Sequence, residues 1–110
     1  MINYTTPTIS LTVDGVDLSG MDVYVSLEQG QKELTKTGDA LIIEPIIGAE
    51  TTDTKIAFTL TQEESASFDF GKSVSVQVNY ISSSNVRDAT EVKTIPVMRN
   101  LLDKVIHYGD

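Results

Sequence analysis

At 110 residues, with 40% hydrophobic and 22% charged residues and no cysteine, the chain is the size of one compact domain. It has no means of building a disulfide framework, a thiolate metal site or a cysteine nucleophile. Sixteen acidic residues against 8 basic ones give a formal charge of -8, which repels phosphate backbones, and no apolar run approaches the roughly 18 residues of a spanning helix, so neither nucleic acid nor membrane is an expected partner.

Residues 1–8 read Met1-Ile2-Asn3-Tyr4-Thr5-Thr6-Pro7-Thr8, without the basic and apolar regions of a secretory signal. They are expected to form an arm ahead of a domain spanning 9–98, in a protein kept in the cytoplasm of the cell that makes it. From Ile9 onward the dominant pattern is period two. Ile9, Leu11 and Val13 alternate with polar residues, and so do Val23, Val25 and Leu27. Each run predicts a strand with one buried face. Leu41-Ile42-Ile43 is apolar on both faces and predicts a strand end near a corner, with Pro45 ending regular pairing and Ile46-Ile47 running on to Gly48. Ile56, Phe58 and Leu60 resume the alternation.

Thr61-Gln62-Glu63-Glu64 has the form of a capping box, in which the threonine hydroxyl accepts from the amide three residues on and the glutamate reaches back. One helical turn near 62–67 is expected there, carrying the chain from one sheet to the other before Phe68 and Phe70 fold inward. Val74, Val76, Val78 and Tyr80 alternate strictly with Ser75, Gln77 and Asn79, the clearest strand in the chain. From Thr90 to Met98 the phase is mixed. Val92 belongs to one face and Ile95 and Val97 to the other, which a bulge near Thr94 or an edge position beside Pro96 would reconcile.

Asp14-Gly15, Gln29-Gly30-Gln31, Gly38-Asp39 and Ser82-Ser83-Ser84-Asn85 supply the turns between strands. About seven or eight short strands at this spacing, with one helical turn, predict an all-β, antiparallel, immunoglobulin-like sandwich. Its core is expected to hold Ile9, Leu11, Val23, Val25, Ile56, Phe58, Leu60, Phe68, Val74, Val76 and Val78. Residues 99–110 follow as a carboxy-terminal arm or a short amphipathic helix capped by Asn100, with Leu101, Leu102, Val105 and Ile106 on one side.

Chemistry is sparsely represented. His107, the single histidine, lies four residues after Asp103 and could join a serine of 82–84 in a triad, but a serine-rich turn and a terminal histidine have simpler readings as loop and surface. Asp14, Asp17 and Asp22 surround a glycine turn without the spacing of a calcium loop and read as a solvated acidic rim. No phosphate loop, zinc motif or nucleophile elbow occurs. No enzyme activity, catalytic residue, metal or cofactor is therefore expected.

Three stretches carry a resemblance: "TPTISLTVDGVDLSGMDVYVSLEQGQKEL", "IAFTLTQEESASFDFGKSVSVQVNYI" and "ATEVKTIPVMRNLLDKVI". In their order they resemble small β-sandwich virion proteins from the structural-gene clusters of phages and prophages of Gram-positive gut bacteria, and the layout is similar to the amino-terminal domain of phage upper baseplate proteins. The matching positions are Asp17-Leu18-Ser19-Gly20, then Leu60-Thr61-Gln62-Glu63-Glu64, Phe68, Gly71 and Val74 to Val78. The resemblance implies a non-enzymatic baseplate or tail component, assembled in the host cytoplasm, whose partners are other virion proteins and copies of itself. The alternative is a carbohydrate- or protein-binding sandwich module cut from a secreted chain. Edge strands and chain ends are the expected contacts. Leu101, Leu102, Val105, Ile106, His107 and Tyr108 are the candidate interface, with Leu102 and Ile106 as anchors.

Overall fold

The computed structural model describes residues 1–109. Eight strands form two antiparallel sheets of a sandwich. They are β1 (Thr8–Val13), β2 (Asp22–Gln29), β3 (Lys32–Thr37), β4 (Ile42–Ile47), β5 (Thr52–Thr59), β6 (Ser73–Ile81), β7 (Arg87–Ala89) and β8 (Lys93–Pro96). The smaller sheet runs β1-β5-β4. The larger runs β3-β2-β6, with β7 and β8 following one another along the far edge of β6. The alternating apolar residues of β1, β2, β5 and β6 meet between the sheets, where Val25, Ile56, Phe58, Leu60, Phe68, Val74 and Val76 are almost wholly removed from water. Of the expected core only Leu11 stays half-buried, because it faces an opening between the sheets.

The crossover falls at α1 (Gln62–Ala66), after β5 of one sheet and before β6 of the other. Its capping box is complete: the Glu64 amide donates to Thr61 Oγ1 at 3.1 Å, and the Thr61 amide donates to Glu64 Oε1 at 2.9 Å. The β2–β3 hairpin closes through Gly30-Gln31 with a positive φ at Gly30 alone, the pattern of a type II′ turn that matches strand twist. A single 3-10 turn at Gly38–Ala40 joins β3 to β4.

Three expectations are corrected. Pairing does not end at Pro45, because β4 continues through it to Ile47. The register explains this: β4 is an edge strand, and the Gly48 amide bonding to Thr51 O fixes the alternation so that position 45 faces away from β5. A proline there gives up no ladder hydrogen bond. Phe70 does not fold inward but is 53% exposed, with the Arg99 guanidinium 5.7 Å from its ring centroid. In the last strand the edge position is realised, since β8 pairs with β6 alone and ends at Pro96, but the bulge lies earlier than Thr94. Between Ala89 and Lys93 the register against β6 slips by one residue. Thr90 fills the gap, its amide donating to Val78 O and its hydroxyl accepting from the Val78 amide at 3.1 Å.

Buried polar side chains hold the loops that the strands leave behind. Thr54 is fully buried, donates through its hydroxyl to Val16 O at 2.7 Å and accepts from the Leu18 amide at 3.0 Å, so the 14–21 loop folds back and buries Leu18. Gln29 uses both ends of its carboxamide on the loop before β6. Its Nε2 donates to Asp69 O and Lys72 O, and its Oε1 accepts from the Asp69 amide. Satisfied in this way, the buried groups avoid the desolvation cost of an unpaired donor or acceptor.

Candidate assembly surface

The two chain ends meet at the end of the sandwich that carries α1. Met1 to Asn3 run parallel to residues 96–98: the Met1 nitrogen donates to Pro96 O, the Met98 amide to Met1 O and the Asn3 amide to Met98 O. Asn3 is buried, and its side-chain oxygen accepts from the Asn100 amide at 3.0 Å while its carbonyl accepts from Asn100 Nδ2 at 3.1 Å. The Ser65 hydroxyl of α1 donates to Thr5 O at 2.7 Å. The amino-terminal segment is thus stitched to both the last strand and the helical turn.

Residues 99–109 contain no helix and no strand. The helical alternative for this segment is not realised. Asn100 does accept from the Leu102 amide at 3.1 Å, but the turn goes no further. A second tether lies at Gln62, whose Nε2 donates to Ile106 O at 2.6 Å and whose Oε1 accepts from the Ile106 amide at 2.9 Å. The carboxamide behaves here as a strand's peptide group would. Between and beyond these two backbone tethers the side chains point to water: Leu101 is 86% exposed, Leu102 50% and Ile106 45%. His107 and Tyr108 are exposed too, and Val105 alone of the candidate residues is half-buried. All six residues lie on one short stretch of chain, which the structure pins at Asn100 and Ile106.

The strand edges are protected unequally. In β4 the groups facing away from β5 belong to Ile43, Pro45 and Ile47, so Pro45 removes the central donor from an edge that also exposes Ile42, Ile46 and Ile47. β3 carries Lys32, Glu33 and Lys36, and β8 ends at Pro96 beneath the amino-terminal segment. Prolines, charges and cover of this kind oppose strand addition. β1 has none of them from Thr8 to Val13. Beside its free edge the sandwich opens into a depression of about 360 Å³ floored by Leu11, Val76 and Val78 and rimmed by Asp14, Glu91 and Lys93.

The residues weighed for chemistry are not brought together. The serine loop joins β6 to β7, at the opposite end of β6 from the strand start that pairs with Pro96, so Ser82 to Ser84 are remote from Asp103 and His107. Ser82 and Ser84 share a hydrogen bond within their turn. The Ser19 hydroxyl, together with the Ser19 amide that donates to Asp17 Oδ1 at 3.0 Å, holds the Asp17 carboxyl below the ordinary range. Among the described residues, no group of three or more His, Cys, Asp or Glu side chains converges as a metal site would require. Compared with protein-family models, curated proteins and solved structures, the chain finds no match.

Proposed function

We propose that the chain is a non-enzymatic assembly protein, a baseplate or tail component of a phage or prophage virion, that docks on copies of itself and on other virion proteins through its carboxy-terminal segment. The observation that carries this reading is the pinned display of Leu101, Leu102, Ile106 and Tyr108. A disordered tail would lose conformational entropy on docking, whereas this segment is already held at Asn100 and Ile106. Covering its side chains on a neighbour would contribute roughly 25 cal/mol for each Å² of apolar surface removed from water. The unguarded edge of β1 offers a second place for contact.

The virion assignment draws on the resemblance of three stretches that span most of the chain. Its test is direct. Purified particles of the phage or induced prophage that encodes the chain should contain it in stoichiometric amount, and its absence from them would remove the virion reading. The association itself should weaken in a Leu102→Ser, Ile106→Ser double variant that retains its melting temperature.

A further inference from the structure

The solvent-facing side of the larger sheet carries a depression that the assembly reading does not use. Register brings its lining together from four strands. Tyr24 of β2 pairs with Asn79 of β6, Ser26 pairs with Thr35 of β3, and Ile81 pairs with Arg87 of β7. The volume is about 380 Å³, in the range of small-molecule sites. Arg87 donates from Nε at 3.3 Å and Nη2 at 3.0 Å to Asn79 Oδ1, the residue that pairs with Tyr24, so the guanidinium is held in the same depression as the Tyr24 ring.

Two features give this depression a chemical character. In a chain of formal charge -8, no carboxylate lines it, and among the described residues Arg87 makes no ion pair. A guanidinium has five N–H donors, of which Asn79 occupies two, leaving a fork that matches a carboxylate. Tyr24 is 42% exposed, and its ring offers a flat apolar face with a polar tip. Ser26 and Thr35 add hydroxyls that both donate and accept, and Ile81 adds apolar surface.

The geometry points to a saccharide site of the acidic-sugar class: a pyranose lies against Tyr24 and Ile81, its carboxylate meets Arg87, and its hydroxyls bond to Ser26, Thr35 and Asn79. The pre-set Asn79–Arg87 contact spares the arginine side chain part of the ordering cost of binding. The site lies on a different surface from the carboxy-terminal segment and does not depend on assembly.

The test is a titration of the full ¹⁵N-labelled chain with sodium glucuronate, with glucose and sodium acetate as parallel probes, each up to about 50 mM, since a single sugar ring in an open site binds in the millimolar range. Saturable shifts of the Tyr24, Ser26, Thr35, Asn79 and Arg87 amides are expected with glucuronate, at least about tenfold weaker with glucose or acetate. Arg87→Lys keeps the charge but loses the fork and should weaken glucuronate binding about tenfold, while Tyr24→Ala should do the same through loss of the ring. Both side chains face solvent, and retained amide dispersion reports a folded variant. Equal shifts with acetate would reveal only adventitious anion contact, equal shifts with glucose would remove the carboxylate's role, and shifts elsewhere or none would remove the site. Each of these outcomes overturns the proposal.

Discussion

Met1 to Asn3 and residues 99–109 come together at one end of the sandwich, joined through Asn3 and Asn100, yet they differ in what they bury. The first segment adds a short parallel stretch beside Pro96 to Met98, buries Asn3 and spends its polar groups on the domain. The second uses its backbone for two tethers and leaves its large apolar side chains outside. A terminal segment is structural when its side chains are buried, whatever its length. Pinning the backbone alone produces a presented surface instead.

That contrast can be broken from either side. Asn3→Ala leaves the Asn100 amide without its side-chain acceptor at a part-buried site, and should lower unfolding stability by about 1 to 3 kcal/mol in denaturant titration. Gln62→Ala removes both bonds to Ile106, which lie at the surface. A loss of about 1 kcal/mol is expected, together with faster hydrogen exchange at the Ile106 amide and no change at Asn3. If Gln62→Ala proved as costly as Asn3→Ala, the carboxy-terminal segment would belong to the fold in the same sense as the amino-terminal one.

A smaller effect sharpens the role of α1, to which both segments are tied. Burial alone would raise the Glu64 carboxyl, but the Lys36 ammonium at 2.8 Å and the Thr61 amide and hydroxyl outweigh it and hold the carboxyl below the ordinary glutamate range. A folded value lower than the unfolded one stabilises the fold above the ordinary range. That contribution is lost as pH falls through the depressed folded value. The contact is partly exposed, so about 1 kcal/mol or less is expected. Lys36→Met should lower stability at neutral pH and reduce the drop on acidification, both measured by thermal unfolding at a series of pH values.

Much of the fold was legible because its signals are local. The alternation of Val74 to Tyr80 and the Thr61 to Glu64 capping box each need only neighbouring residues to be recognised, and both stand where they were expected. What escaped depends on distant partners. Pro45 fits inside β4 only because nothing pairs on its outer side, and the slip at 90–92 is defined against β6. Buried Asn3 and the pairing of Gln62 with Ile106 join residues far apart in sequence, for which no spacing rule exists. For the candidate surface, the apolar residues of 101–108 follow the last strand, which ends at Pro96. Their period suited a helix as well as an arm, and the Gln62 tether decided against the helix.

The measurement closest to the central claim is the mass in solution, by light scattering across a concentration series, of the full chain and of a variant lacking residues 101–110 but keeping Asn100. The full chain should rise above its monomer mass of 12.0 kDa with concentration. The shortened variant should stay monomeric, with a melting temperature lower by no more than the loss of the Gln62 tether explains. An equal rise in mass for both chains, a full chain that remains monomeric throughout, or a shortened variant that fails to fold would contradict the account.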